Sequence, residues 1–117
     1  TKSQFESGDC KILNSKVETQ WLNDIILVGE SNYNCIEIFF QQNQNIYSSV
    51  KVESPNGKTV SLMTLGAINN GGVWFQGKKV TITDDKITPS IAFEYYTGGS
   101  YSNTDYIYIT KVVGYKY

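Results

Sequence analysis

The 117-residue sequence contains no histidine, which leaves carboxylate pairs, Ser–Lys arrangements and thiols as the routes to chemistry. Any triad, zinc site or proton shuttle built on imidazole is excluded. Glu94, in IAFEYY, has the most suggestive neighbours. A glutamate ringed by tyrosines would act as a general acid with a raised pKa; the plainer alternative is a carboxylate that accepts hydrogen bonds from those hydroxyls or stands in water. A glycosidase needs a second carboxylate about 5 to 10 Å away, and Asp84, Asp85 and Asp105 are the candidates. Those three aspartates, at the end of one expected strand and the start of another, would also serve calcium with the help of loop carbonyls. TDDK, however, lacks the alternating Asp and Asn and the turn glycine of a calcium loop, so a charged strand end is the simpler reading and no metal is expected.

Nucleophiles fare no better. Ser49 and Lys51 share one strand face, which should be wet, whereas a Ser–Lys pair needs a desolvated lysine. NNGG and TGGS are loop glycines, and no G-x-S-x-G, P-loop or dinucleotide fingerprint occurs. The expectation is a protein that is not an enzyme and carries no cofactor. Cys10 and Cys35 lie 35 − 10 = 25 positions apart and straddle one well-marked segment. A disulfide between them would contribute about 3 kcal/mol by the chain-entropy argument; two buried free thiols are the alternative.

Composition narrows the partners. There is no arginine, the ten lysines are scattered, and the net charge is −1. A nucleic-acid binder needs a basic stripe to displace counterions and gains its bidentate readout from arginine, so nucleic acid is not an expected partner. The longest aliphatic run, IILV at 25 to 28, is too short to span a bilayer, and no membrane insertion is expected. The opening TKSQFESGDC is polar, so any signal peptide is expected to have been removed. Abundant Tyr, Asn, Ser, Thr and Gly suit a secreted or periplasmic β-protein.

The chain reads as one β-rich domain over residues 1–117, with 40% hydrophobic content, large enough to bury roughly two thirds of its unfolded surface. In YSSVKVESPNGKTVSLM, a loop at Pro55-Asn56-Gly57 would pair Val52 with Val60 and Val50 with Leu62, all on one face. In GVWFQGKKVTITDD, a turn at Gly77-Lys78 would pair Phe75 with Val80 and Val73 with Ile82, leaving Trp74 opposite Thr81 on the outer face. A last hairpin would join IAFEYY, through the loop TGGSYSNT, to the closing stretch at 105 to 117, with Ile91, Phe93, Tyr95, Ile107 and Ile109 inward. Beyond Lys111 the alternation breaks at Val112-Val113-Gly114, the mark of a bulge or strand bend; a bulge would move Tyr115 and Tyr117 to the other face, and their final face stays open. CIEIFFQQ reads as a strand with Ile36, Ile38 and Phe40 inward. Ser15 and Glu18 form a capping box, and Val17, Trp21 and Ile25 follow at helical spacing, so a short amphipathic helix is expected at 16–26, with a strand through IILVGES as the alternative. The sum is mainly β: an antiparallel β-sandwich or curled sheet of about six strands with one short N-terminal helix.

Tyrosine supplies nine residues. Cross-strand packing alone accounts for rings in strands at roughly 0.2 to 1 kcal/mol per pair. Yet Ile91, Phe93, Ile107 and Ile109 already furnish an inner face, and Glu94, Tyr96, Tyr106 and Tyr108 fall on the other. Tyr101 and Asn103 in the adjoining loop, with the outward Trp74, complete a candidate binding surface of the composition that recognition loops use. Two functions fit: an extracytoplasmic binder of another protein (inhibitor, immunity or adhesion type), and a carbohydrate-binding module in which Trp74 or a tyrosine stacks on a sugar face. A protein partner is favoured over a glycan.

Overall fold

A computed structural model describes residues 10–14, 25–27, 33–42, 46–67, 73–83, 85–90, 93–96, 101–102 and 107–116, with the backbone alone at 14, 66–67, 73–74, 93–96 and 101–102. These residues are mainly β, contain no helix, and form two antiparallel sheets. The strands are β1 (Cys10–Asn14), β2 (Ile25–Ile26), β3 (Cys35–Gln42), β4 (Ile46–Glu53), β5 (Thr59–Ala67), β6 (Val73–Thr83), β7 (Lys86–Pro89), β8 (Phe93–Tyr96), β9 (Tyr101–Ser102) and β10 (Ile107–Tyr115). The strand count exceeds the expected six. Only β2 and β9 are as short as two residues; setting them aside leaves four longer strands in each sheet. One sheet runs β1-β10-β3-β4; the other runs β2-β7-β6-β8-β9, with β5 on the free flank of β6. We call them the β10 sheet and the β6 sheet.

One hydrophobic cluster draws on both sheets. Leu13, Ile36, Ile38, Phe40, Val52, Ile107, Ile109 and Val112 come from the β10 sheet, and Ile25, Leu62, Val80, Ile82 and Ile87 from the β6 sheet. Period-2 alternation explains the choice: in CIEIFFQQ the buried residues Ile36, Ile38 and Phe40 are two apart, as the sequence predicts. Each such side chain contributes about 1.5 to 3 kcal/mol by leaving water. The inner row of β6 is less apolar, for Gln76 and Lys78 are buried beside Val80 and Ile82. Both residues take part in further interactions.

All three expected hairpins are replaced by other pairings. The turn at Pro55-Asn56-Gly57 forms, with Lys58 N–H donating to the Pro55 carbonyl at 3.1 Å and Gly57 at φ 86°, where a type II turn requires a positive φ. It does not fold β4 back onto β5. Gly57 N–H donates to Ile82 O at 2.6 Å and Ile82 N–H to Lys58 O at 2.9 Å, so the turn is captured by β6 and carries the chain into the other sheet. Val52 and Leu62 are buried, and Val50 and Val60 pack against the core; these four valine and leucine side chains point inward as expected, but from two sheets.

No turn occurs at Gly77-Lys78. β6 runs unbroken for 11 residues, paired along its length with β5 from Thr59↔Thr81 to Ala67↔Val73. Without the turn, Phe75 and Val80 differ in parity; Val80 is buried and Phe75 is exposed. Trp74 pairs with Gly66 and Tyr96, and Thr81 with Thr59 and Thr88, so Trp74 does not stand opposite Thr81. The expected partner of IAFEYY is also wrong: β8 pairs with β6 and β9, while β10 lies between β1 and β3. Of the expected helix at 16–26, Ile25–Ile26 are strand, paired with Ile87 and Lys86. The rest of that segment, with Ser15, lies outside the described residues, as does Ile91.

Candidate functional site

The outward face of the β10 sheet brings together the chemistry that the described side chains offer. Register fixes its membership. β3 and β4 pair from Cys35↔Glu53 to Gln42↔Ile46, so Glu37 stands opposite Lys51 and Phe39 opposite Ser49. On the other flank β10 pairs with β3, and its register shifts between Ile109 and Lys111. The extra residue is Thr110, whose hydroxyl donates to the Phe39 carbonyl at 3.2 Å, satisfying a backbone acceptor at the bulge. The bulge therefore lies before Lys111 rather than beyond it. The face of Tyr115, left open by the sequence, follows from it: Tyr108, Lys111 and Tyr115 pair with Gln41, Phe39 and Cys35 and share the outward face despite the odd spacing between Tyr108 and Tyr115, while Tyr117 lies outside the described residues.

Glu37 is the centre of this face. Tyr115 OH donates to its Oε1 at 2.6 Å and Ser49 Oγ to its Oε2 at 2.7 Å, both charge-assisted bonds of short length. Burial alone would raise the Glu37 pKa, but these two hydrogen bonds, with the Lys51 and Lys111 charges, outweigh it and hold the carboxyl below its ordinary value. Each lysine also covers a ring. Lys51 Nζ lies 4.9 Å from the Tyr115 centroid and Lys111 Nζ 4.6 Å from that of Phe39, within cation–π range. Ser49 and Lys51 are both exposed, as expected of a wet face; the serine serves Glu37 and the lysine serves a ring. Tyr47, paired with Gln41 on the outer strand, is 68% exposed.

The cysteines flank this network without joining. Both are free. Cys10 and Cys35 each pair with Tyr115, from opposite sides, so β10 separates them by two strand spacings, about 9.6 Å. A disulfide tolerates a Cα separation of up to about 7 Å, and the expected bridge is incompatible with this topology. Burial first, and then the Glu37 carboxylate, push the Cys10 thiol above its ordinary range against the opposing influence of Lys111. It is protonated at neutral pH and a poor nucleophile.

The candidate surface expected from the sequence is divided between the sheets. Tyr108 is half-buried on β10. Trp74, Glu94, Tyr96 and Tyr101 belong to β6, β8 and β9 of the other sheet. There Trp74 pairs with Tyr96, Glu94 with Gln76 and Ser102, and Tyr101 with Tyr95. Asn103, Tyr106 and Asp105 lie outside the described residues, as does Asp84. Sequence reasoning missed Glu37, Phe39, Tyr47, Lys111 and the role of Tyr115. A usable signal was present: pairing the last residue of CIEIFFQQ with the first of IYSSVKVE sets Glu37 against Lys51, an opposite-charge cross-strand pair.

No group of three or more His, Cys, Asp or Glu side chains positioned to hold a metal ion occurs among the described residues. No helix among them is long and apolar enough to cross a membrane. Comparison with protein-family models, with curated proteins and with solved structures finds no match to this chain.

Proposed function

We propose that this chain is a non-enzymatic binding protein that recognises another protein through the outward face of the β10 sheet. In this reading the two sheets stack as a β-sandwich whose core is their shared hydrophobic cluster, leaving that face for a partner. The observation that carries the proposal is the Tyr115–Glu37–Ser49 network with Lys51 and Lys111 over adjacent rings. These side chains are held in place on paired strands before any partner arrives, so binding costs little further ordering. Aromatic rings beside fixed charges supply both contact area and register, the combination that protein interfaces favour. The elevated thiol of Cys10 and a Glu37 carboxyl held ionised fit recognition better than catalysis. Composition supports an extracytoplasmic place of action; the free cysteines remove the disulfide that would have added to it.

A glycan partner is the second reading, favoured by one feature. Tyr108, Gln41 and Tyr47 form a single cross-strand row, with the two tyrosine backbone positions about 9.6 Å apart across the sheet and an amide residue between them, a platform for a sugar chain. Affinity capture from a native extract, half of it protease-treated, separates the two. With wild type and a Tyr47→Ala/Tyr108→Ala variant as baits, a capture lost on protease treatment and in the variant supports a protein partner. Survival of protease but not of the substitutions supports the glycan. Equal capture by both baits overturns this face as the site.

A further inference from the structure

The turn between β4 and β5 contains Asn56-Gly57, a dipeptide that can modify itself. An asparagine followed by glycine is open to attack along its own chain, because no Cβ on the glycine screens the attacking nitrogen. The glycine nitrogen bonds to the asparagine Cγ, the bond from Cγ to the side-chain amide nitrogen breaks, and ammonia leaves with the proton that the glycine N–H gives up through solvent. The product is a cyclic imide, which water opens at either carbonyl. One opening leaves aspartate; the other leaves isoaspartate, whose main chain runs through Cβ and is one atom longer. Asn56 and Gly57 are both exposed, so water and solvent base reach them. Asn70-Gly71, with the same chemistry, lies outside the described residues.

Two features of the fold close this route at Asn56. Gly57 N–H donates to Ile82 O at 2.6 Å, so the nitrogen that must lose its proton and attack is held on β6. Lys58 N–H donates to the Pro55 carbonyl, and of the two central residues Gly57 alone has a positive φ, which makes the turn type II. Such a turn holds ψ of its first central residue near about +120°. That angle swings the Gly57 nitrogen away from the Asn56 Cβ, whereas ring closure needs both on the same side of the Cα–C bond. The route opens when the turn leaves β6, by local or global unfolding. We propose that Asn56-Gly57 is a modification site gated by unfolding: the folded chain keeps Asn56 intact, a chain held unfolded converts it, and the isoaspartate form does not rebuild the crossing from β4 to β5. The register explains the last step. The bond from Gly57 is followed at once by Ile82 N–H to Lys58 O at 2.9 Å and by the pairing of Thr59 with Thr81, and an added main-chain atom at position 56 displaces Gly57 against this fixed ladder. Aspartate keeps the chain length and the register. Prolonged unfolding thereby becomes irreversible by a chemical step.

Ageing the wild type at mildly alkaline pH, folded and in urea, tests this, with a peptide of residues 53–60 carried through both buffers. Peptide mass spectrometry follows the conversion of amide to acid at each Asn-Gly. The peptide and the urea-unfolded chain are expected to convert at position 56 at the same rate, and the folded chain at least roughly tenfold more slowly. Asn70-Gly71 serves as the chemical standard in the urea arm. Urea-aged chains are then diluted to refold. Isoaspartate at position 56, told from aspartate by fragmentation, is expected to concentrate in the fraction that stays unfolded. Asn56→Asp, which adds the charge without the extra atom, is expected to refold as wild type does. Equal conversion in the folded and unfolded chains overturns the proposal, as does no conversion in urea. So do equal isoaspartate contents in the refolded and unfolded fractions, or an Asn56→Asp chain that fails to refold.

Discussion

Tyr115→Phe isolates one bond at the centre of the outward face. The substitution removes the hydroxyl that donates to Glu37 at 2.6 Å and leaves the ring on which Lys51 rests. Hydrogen bonds to charged groups contribute about 1.5 to 3 kcal/mol, but this site is only part-buried and water can take the place of the hydroxyl. We therefore expect a loss of about 1 kcal/mol at pH 7. For a domain of this size that corresponds to a drop in Tm of about 4 °C. The effect is pH-dependent with a definite sign. The Glu37 pKa is lowered in the folded state, so its contribution is fully present above the ordinary carboxyl value of 4.5 and fades as pH falls through the lower folded value. Urea unfolding of wild type and variant at pH 7 and near pH 3 should show the difference shrinking toward zero in acid. Glu37→Gln should abolish the pH dependence of that difference. An equal penalty at both pH values, or none at pH 7, would refute the assignment of this bond to an ionised Glu37.

Other expectations follow from close contacts and from topology. Gly114→Ala would place a Cβ 2.7 Å from Cγ of Tyr33 and 3.1 Å from Cδ1 of Leu13; urea midpoints should report a loss of about 1 to 3 kcal/mol. A neutral result would mean that the Tyr33 ring does not rest on β10. With no disulfide, denatured protein should take two alkyl groups without prior reduction, while in the folded state Cys35, fully buried, is protected and Cys10 reacts slowly. Mass spectrometry of the alkylated protein checks this, and absence of label before reduction would restore the bridge.

Much of the inside–outside pattern was legible from alternation, because a strand buried on one face writes that face into every second residue. Ile36, Ile38 and Phe40, Val52 and Leu62, Ile107 and Ile109 all follow that rule. Which strand pairs with which was not legible. Pro55-Asn56-Gly57 specifies a turn, and the turn forms, but its residues carry no information on whether the flanking strands stay in one sheet. That outcome depends on backbone bonds to Ile82, 25 residues beyond Gly57 (82 − 57 = 25). Gly77-Lys78 has the composition of a turn, yet β5 pairs along the full length of β6 and keeps it straight. An error of partner displaced the candidate site as well. Once β10 is assigned to β3 rather than to β8, Tyr108 parts from Trp74, Glu94, Tyr96 and Tyr101. A single bulge at Thr110 then adds Tyr115 to its face. Bulges are set by the fit of two strands, so their position is poorly marked in either strand alone.

The most direct test of the recognition face compares three baits in the same extract: wild type, Tyr47→Ala, and Leu65→Ala. Both substituted residues are well exposed, so neither change disturbs the core, and they lie on the outward faces of different sheets. We predict that Tyr47→Ala weakens capture of the bound macromolecule by about 30-fold, the loss of an aromatic anchor worth roughly 2 kcal/mol, while Leu65→Ala captures as wild type does. Full capture by Tyr47→Ala with loss in Leu65→Ala would contradict the account and move the binding site to the β6 sheet.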